Sequence, residues 1–338
     1  MSAALKVHSA GPAVTVQDLG RPGHMASGVS RGGAADWIAF VEGAALLNQG
    51  LECAALELAG MGGVFEAVGD IRIALTGAPM RADCDGDALA WNASHKIAAG
   101  SKITIAQVTC GLYGYLSVGG GIATPQILGS RATHLLSRLG QAVAAGDTLP
   151  IGPDGSPEIF GDFFTPDDRM SGGTLRVLPS VQTERFAPDT RARFAATAFT
   201  RTPRGNRQAA ELGFDGAPFG SADSLSILSE PILAGDIQMT GPGYPYVLLP
   251  ECQTTGGYPR IGTVIPDDLP KIAQAGAGVT FQFVFVSHAD AVAAHKTAQL
   301  RLNAVKAARR PLVRDPALIR DLLGYQLISG VTAGADER

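Results

Sequence analysis

The sequence carries little charge and has no long apolar run. Only 17% of its 338 residues are charged, and the formal net charge is −4. This balance provides no general attraction for phosphate backbones or anionic lipid, so we expect neither nucleic acid nor a membrane as a partner. No apolar stretch approaches the roughly 18 residues of a membrane-spanning helix, and residues 1–20 lack the apolar core of a secretory signal. These absences predict a soluble, cytoplasmic protein.

Cysteine is scarce, and common metal and hydrolase motifs are missing. The four cysteines form no C-x-x-C pair, and no histidine stands near them at metal-ligand spacing, so we predict neither a zinc site nor a disulfide. The histidines form no H-E-x-x-H motif, and no serine stands in G-x-S-x-G. Asp83, Asp85 and Asp87 resemble the start of a calcium loop, but no glutamate closes it. We therefore expect no metal site, and a hairpin turn at Asp85-Gly86.

Glycine is abundant, and most periodic segments are short. The 43 glycines are about twice the usual share of roughly 7%. Apolar and polar residues alternate with period two in segments that end at Gly, Pro, Asn or Asp, which is typical of half-buried strands. The sequence therefore predicts a mainly β chain. The clearest strand segments are residues 13–19, 71–76, 103–108, 113–118, 174–178, 246–249 and 279–286.

Helices are few and can be placed by their end signals. Asp36 can cap a helix that ends at Gly50. A second helix is predicted from Pro188 to about Phe199, and a third over residues 289–309, before Pro311.

The chain is long enough for two compact domains. Residues 152–173 are rich in Gly, Pro and Asp and lack apolar periodicity, so we interpret them as a linker. The predicted organisation is a β domain over residues 1–155, a β-barrel domain over 174–290, and a helix with a tail over 291–338.

The most informative stretch is the loop from Glu251 to Pro259. Its neutral hydrogen-bonding side chains flank a glycine pair: Gln253, Thr254 and Thr255, then Gly256 and Gly257, then Tyr258. Backbone N–H groups and uncharged donors suit a neutral polar ligand or a developing oxyanion. A tight turn between strands explains the same residues equally well, because Gly-Gly and Pro are ordinary turn residues.

Three other segments are candidates with competing structural interpretations. Arg207, next to Asn206, can hold a carboxylate through two parallel hydrogen bonds, although a surface arginine is the commoner case. Gln238 ends a predicted strand-turn-strand unit, and its side chain can face either side. Gly119-Gly120-Gly121 invites comparison with a phosphate loop, but the P-loop and dinucleotide patterns are both absent, which favours a close-packed turn.

Taken together, these motifs resemble the allophanate hydrolase subunit 2 family, also described as the A and B carboxyltransferase domain family. The resemblance covers roughly residues 11–291 and depends on the order and spacing of the pieces. The pieces are residues 15–21, 33–36, 75–78, 115–122, 128–131, 206–207, 229–230, 237–238, 253–259, 268–269 and 273–274.

The chain departs from the family pattern at several positions. Asn48-Gln49 stands where the helix usually ends in Gly-Asn, and Ala209 and Glu211 replace the Gly and second Arg that usually follow Asn206-Arg207. Cys252 stands where an arginine is common. These changes concern the ligand more than the fold.

The resemblance implies two cyclophilin-like β-barrel halves with a few helices and an obligate partner. A free-standing chain of this kind is similar to the C subunit of a 5-oxoprolinase, an ATP-dependent complex that opens the lactam of 5-oxoproline to L-glutamate. The implied partners are the A and B subunits of that complex, with a KipI-like B subunit the most direct. ATP would be used by the complex, since no nucleotide-binding motif identifies a site in this chain.

Two alternatives share the same motifs. One is a carboxyltransferase subunit of a biotin-dependent urea carboxylase or allophanate hydrolase system. Biotin would then be carried elsewhere, because this sequence lacks the Ala-Met-Lys-Met acceptor motif. The other is a non-catalytic antagonist of a kinase inhibitor, as in the sporulation regulator KipA.

Under the oxoprolinase interpretation, the candidate residues divide into two groups. The catalytic candidates are Gln253, Thr254, Thr255 and Tyr258, and the substrate-binding candidates are Asn206, Arg207, Gln238, Gly256 and Gly257. We expect them to line one cleft near the partner face, and we expect the isolated chain neither to hydrolyse ATP nor to open 5-oxoproline.

Overall fold

Strands dominate the computed structural model, which describes residues 3–220 and 227–313. In this part of the chain no helix is both long and apolar enough to cross a membrane. The strands up to residue 163 are β1 (Ala4–Ala10), β2 (Val14–Gln17), β3 (Ala55–Ala59), β4 (Met61–Val68), β5 (Ile71–Gly77), β6 (Met80–Cys84), β7 (Asp87–Leu89), β8 (Ala93–Ile97), β9 (Lys102–Val108), β10 (Tyr113–Val118), β11 (Thr148–Pro150) and β12 (Asp162–Phe163).

These strands form two sheets that share one apolar core. A six-stranded sheet has the order β11-β1-β4-β9-β6-β7, and a second sheet begins β2-β3-β10-β5-β8-β12. Leu5 and Phe65 of the first sheet and Leu56 and Leu116 of the second belong to the same buried cluster. The predicted hairpin is confirmed, because Asp85 and Gly86 both adopt positive φ between the paired strands β6 and β7.

The second half contains a closed barrel with the order β13-β20-β17-β18-β15-β14-β21. Its one parallel pair, β13 with β21, closes the ring. The strands here are β13 (Gly173–Leu178), β14 (Ala198–Gly205), β15 (Ala209–Gly213), β16 (Glu230–Pro231), β17 (Asp236–Met239), β18 (Pro245–Leu248), β19 (Thr255–Gly256), β20 (Arg260–Val264), β21 (Thr280–Phe285) and β22 (Arg310–Pro311). Strands β16 and β19 pair separately, and β22 joins β12 at the edge of the second sheet.

Closely packed phenylalanine rings form part of the core of the second half. Phe194 lies 4.8 Å from Phe283 and 5.0 Å from Phe199, measured between ring centroids, and all three side chains are fully buried. Such aromatic pairs add about 0.5–1.5 kcal/mol each beyond their buried area.

The strands and sheets of both halves confirm the predicted mainly β fold with few helices.

Five helices occur within the described residues: α1 (Trp37–Leu46), α2 (Pro188–Ala196), α3 (Leu269–Gln274), α4 (His288–Ala294) and α5 (Ala298–Ala308). Two short 3-10 turns span Met25–Ser27 and Thr183–Arg185. Asp36 caps α1 as predicted, since its carboxylate accepts a hydrogen bond from Ala39 N. Helix α2 ends before Phe199, which lies in β14 instead.

The prediction of one helix over residues 289–309 is wrong. The chain breaks between α4 and α5 because Asp267 accepts hydrogen bonds from His295 Nδ1 and from Lys296 N, at 2.6 and 3.2 Å. Thr297 then caps a new helix through Leu300 N. Helix α5 packs against α1 in the first half of the chain.

The segment between the halves is anchored by a buried arginine. Arg169 is 3% exposed, and it donates from Nε to Asp36 at 3.0 Å and from both Nη atoms to Glu42 at 2.9 and 2.5 Å. Burial raises the pKa of Glu42 to about 7 even beside this guanidinium. The domain boundaries stay a prediction, and the predicted tail after residue 313 lies outside the described residues. Residues 152–173 include a side chain, Arg169, that fixes this segment to α1.

Replacing Arg169 with methionine should leave two buried carboxylates without a counter-charge. We expect Arg169→Met to lower the free energy of unfolding by about 3–5 kcal/mol in denaturant titrations. The loss should be larger at pH 8 than at pH 5.5. Arg169 holds the pKa of Glu42 down, so its removal should raise that pKa further. The folded variant then keeps a proton that the unfolded chain releases, and raising the pH destabilises the variant more than the wild type.

The matched control is Arg191→Met, which removes the pair between Arg191 and the exposed carboxylate of Glu184. Exposed pairs contribute about 0–1 kcal/mol. Equal losses in the two variants would show that the Arg169 network does not anchor this segment.

Candidate functional site

Arg207 joins the two halves of the chain. It lies in the turn between β14 and β15 and is 8% exposed. Its Nε donates to Glu251 at 2.5 Å, Nη1 to Glu57 in β3, and Nη2 to the carbonyl of Gly33 at 2.5 Å. Burial opposes the charge, but Glu57 and Glu251 outweigh it and raise the pKa of Arg207. The surface interpretation of this residue is therefore wrong.

The proposed contact of Arg207 with a substrate carboxylate stays a prediction. In this structure the guanidinium pairs with two carboxylates of the chain itself, which favours a positioning role. The second oxygen of Glu251 accepts hydrogen bonds from Leu135 N at 3.0 Å and Leu136 N at 3.4 Å. Arg207 thus holds a carboxylate that orders the loop around His134.

Ser30 and His134 form a buried pair that no sequence motif indicates. Ser30 Oγ lies 2.8 Å from His134 Nε2, and 104 positions separate the residues in sequence. His134 Nδ1 accepts a hydrogen bond from Ser137 N at 3.2 Å, which assigns the proton to Nε2 in the neutral ring. Burial lowers the pKa of His134 and favours that neutral form. Nε2–H therefore donates to Ser30, whose own hydroxyl proton remains available to a ligand.

These residues border a cleft of about 490 Å³, which we call the polar cleft. The first half of the chain contributes Ser30, His134 and Ser137, and the second half contributes the segment after β18. The full lining is Gly28, Ser30, His134, Leu136, Ser137, Cys252, Gln253, Thr254 and Thr255. Three of the four predicted catalytic residues thus lie in one cleft, beside a serine and a histidine from distant positions.

The other predicted residues lie outside that lining. Asn206 is exposed, and its side chain caps its own turn through Gln208 N at 2.7 Å. Tyr258 is 43% exposed. Gly256 pairs with Glu230 in the β16–β19 ribbon.

Gln238 lies behind that ribbon. A Cβ atom at Gly256 would come within 2.4 Å of Gln238 Nε2, so a larger residue here would displace the end of the Gln238 side chain. Gln238 Nε2 is buried without a hydrogen-bond partner among the described residues. Gly257 accepts a backbone hydrogen bond from Ile227. Gln238, Gly256 and Gly257 therefore support the loop that leads away from the polar cleft, and their predicted substrate contacts stay predictions.

The glycine triplet at 119–121 is a packed turn. Gly119 N donates to Arg72 O at 2.8 Å, Gly120 N to Gln49 Oε1 at 3.0 Å, and Gly121 N to Val118 O at 2.9 Å. With all three donors occupied, the triplet does not fit the phosphates of a nucleotide.

Comparison with known proteins defines the family. Residues 27–285 match the family described as carboxyltransferase domain, subdomain A and B. The 5-oxoprolinase C subunit of Escherichia coli is 32% identical over 301 residues, which cover 87% of this chain and 95% of that protein. The Haemophilus influenzae protein of the same name is 29% identical, with coverage of 86% and 94%. The chain belongs to the carboxyltransferase subdomain A and B family.

Solved structures share the fold. The Kluyveromyces lactis urea carboxylase superimposes with a TM-score of 0.78 at 22% identity, over 93% of this chain and 31% of that one. The protein TTHA0988 is 30% identical with a TM-score of 0.76 over 84% of this chain. This chain spans only 56% of the length of TTHA0988.

The Arg207 contacts predict a specific defect. A lysine ammonium can pair with one of the two carboxylates, Glu57 or Glu251, but it lacks the branched guanidinium that contacts both. Each buried group left unpaired costs about 1–3 kcal/mol. We expect Arg207→Lys to lower the free energy of unfolding by at least that amount. The control is Arg204→Lys, at a side chain that is 81% exposed, where the change should stay within about 0.5 kcal/mol. Unchanged stability with a raised KM for substrate would instead support direct substrate binding by Arg207.

Proposed function

We propose that this chain is the C subunit of an ATP-dependent 5-oxoprolinase complex, which opens the lactam of 5-oxoproline to L-glutamate. The observation that carries the proposal is its similarity to two proteins of that name over nearly their whole length. The A and B subunits are the proposed partners, with the B subunit in direct contact.

The chemistry of the polar cleft suits a lactam. A lactam ring is a neutral amide, and no carboxylate, lysine or arginine is among the described residues that line the cleft. Ser30, Gln253 and Thr255 line the cleft and offer uncharged donors of the kind that stabilise a carbonyl oxygen as it gains negative charge during water attack. Ser137 N donates to His134 Nδ1, and His134 Nε2 donates to Ser30 Oγ. The serine hydroxyl is therefore the acceptor in this chain, and its own proton is directed away from His134. Donors that are already oriented need no reorganisation when the oxyanion forms.

The reaction requires activation as well as donors. Amide carbonyls are weak electrophiles, so ATP would activate the lactam oxygen before water attacks the carbonyl carbon. The C–N bond then breaks, the ring nitrogen takes a proton, and glutamate, ADP and phosphate leave. The residues of this chain would orient the ring and stabilise the oxygen. ATP would be used by the complex, and the glycine triplet at 119–121 is not its site, since that turn has no free donors for phosphate.

A second function has its own support. The family is named for carboxyltransfer, and the fold matches a urea carboxylase over 93% of this chain. In that case the polar cleft would hold urea, another neutral amide, and biotin on a partner would supply the carboxyl group. Reconstitution with the products of neighbouring genes separates the two functions. ATP hydrolysis stimulated by 5-oxoproline supports the oxoprolinase, and biotin-dependent stimulation by urea supports the carboxyltransferase. Stable partner binding without either turnover would support the KipA-like role.

Removing single donors from the polar cleft should slow the complex. We expect Ser30→Ala, Gln253→Ala and Thr255→Val each to reduce 5-oxoproline-stimulated ATP hydrolysis by about 100- to 1000-fold, the usual cost of losing one oriented oxyanion donor. Assembly and melting temperature should change little in the Gln253 and Thr255 variants, because both side chains are exposed to the cleft.

Gln282→Ala and Thr200→Val are matched controls on exposed faces of β21 and β14, and both should keep normal rates. Near-normal kinetics in all three cleft variants, with the complex intact, would remove the polar cleft from the mechanism.

A further inference from the structure

A second cavity of about 610 Å³ adjoins the polar cleft, and we call it the basic cavity. Ser30 and Cys252 line both spaces. Its walls are residues 19–34, the start of α1, residues 232–234, and the segments beside Pro266 and His295. The last of these lies beyond residue 285, where the family match ends.

The lining chemistry differs sharply from that of the polar cleft. Most of the wall is apolar and includes Leu19, Met25, Val29, Trp37, Leu233 and Leu269. The charged or basic side chains are Arg21, His24, Arg31 and His295, and no carboxylate contributes to the lining within the described parts of the chain. The combination favours a ligand with an apolar body and a negatively charged group.

Arg21 provides the strongest evidence for an anion. The side chain is 1% exposed, and its acceptors are two backbone carbonyls, those of Ile127 and Ala132. Its Nη1 atom is buried without a hydrogen-bond partner among the described residues. In contrast, Arg72, Arg169 and Arg207 are buried against carboxylates.

Electrostatics agree with that geometry. Burial lowers the pKa of Arg21, and the charges of Asp18 and Glu251 offset this effect only in part. A buried guanidinium without a bonded counter-charge is destabilised, and a bound anion would relieve that cost.

Arg21 and Gly32 both line the cavity. Gly32 lines the cavity, and a Cβ atom there would lie 3.5 Å from Arg21 Nη1, so the missing side chain leaves space beside this donor. Arg21 N also donates to Arg31 O at 2.8 Å, which places the two arginines on facing segments of the same loop. Arg31 is exposed, and its Nε donates to Leu19 O at 2.9 Å.

We propose that the basic cavity binds a carboxylate with an apolar body, whose head pairs with Arg21 and Arg31 while the body contacts Trp37 and its apolar neighbours. This site is distinct from the polar cleft and does not depend on the identity of the lactam substrate. A ligand seated there would reach Ser30 and Cys252, which border the polar cleft, and so would lie next to any molecule bound in that cleft.

Trp37 allows a direct test. The chain has two tryptophans, and Trp91 donates to Gly77 O outside the cavity lining. In a Trp91→Phe background, octanoate should quench Trp37 fluorescence in a saturable titration, and the neutral isostere octanamide should bind at least tenfold more weakly. Arg21→Gln and Arg31→Gln should each weaken octanoate binding several-fold while leaving octanamide binding unchanged.

Each outcome decides the proposal. Equal affinity for octanoate and octanamide, or no saturable binding of octanoate, would overturn it. If Arg21→Gln fails to fold, the exposed Arg31→Gln variant and the octanoate-octanamide comparison still support or refute the site. Gln253→Ala separates this site from the proposed function, because it should leave octanoate affinity unchanged even where it abolishes lactam-stimulated ATP hydrolysis.

Discussion

A row of seven buried, mostly charged residues links the two halves of the chain, and we call this row the seam. The geometry of the polar cleft depends on it. Glu57 binds Arg207 through one oxygen, and its other oxygen accepts hydrogen bonds from Tyr115 Oη and Ala35 N at 2.7 and 2.8 Å. Tyr115 Oη in turn accepts from Asp36 N at 2.8 Å. Breaking one member of such a network leaves its partners charged and unpaired in a dry interior, which costs several kcal/mol. The members in order are Glu251, Arg207, Glu57, Tyr115, Asp36, Arg169 and Glu42.

The seam also explains why the polar cleft can stay uncharged. Glu251 and Arg207 are paired with each other within the seam, and Glu251 uses its remaining oxygen to fix the loop of His134. Gln274 adds a second tie between the halves, since it donates to Asp36 at 2.8 Å and accepts from Tyr113 N at 2.9 Å. The cleft is therefore built on a rigid base, while its own lining offers neutral donors. Binding a neutral amide there requires no change in the protonation of the seam.

Sequence reasoning succeeded where the signal is local. The cap at Asp36 and the turn at Asp85-Gly86 depend on residues next to each other, so propensity alone places them. It failed where contacts are distant. Nothing in the spacing of Ser30 and His134 shows that they meet, and the fate of Arg207 depends on Glu57, 150 positions away. The break between α4 and α5 likewise depends on Asp267, which packs against His295 only in the folded chain.

The central claim is that the polar cleft binds the lactam, and a structure of the reconstituted complex with 5-oxoproline tests it most directly. We predict density for the ring between Ser30 and Thr255, with the lactam oxygen at hydrogen-bond distance, about 2.5–3.2 Å, from Ser30 Oγ. Clear density for the ring elsewhere in the complex, with water filling the polar cleft, would contradict it.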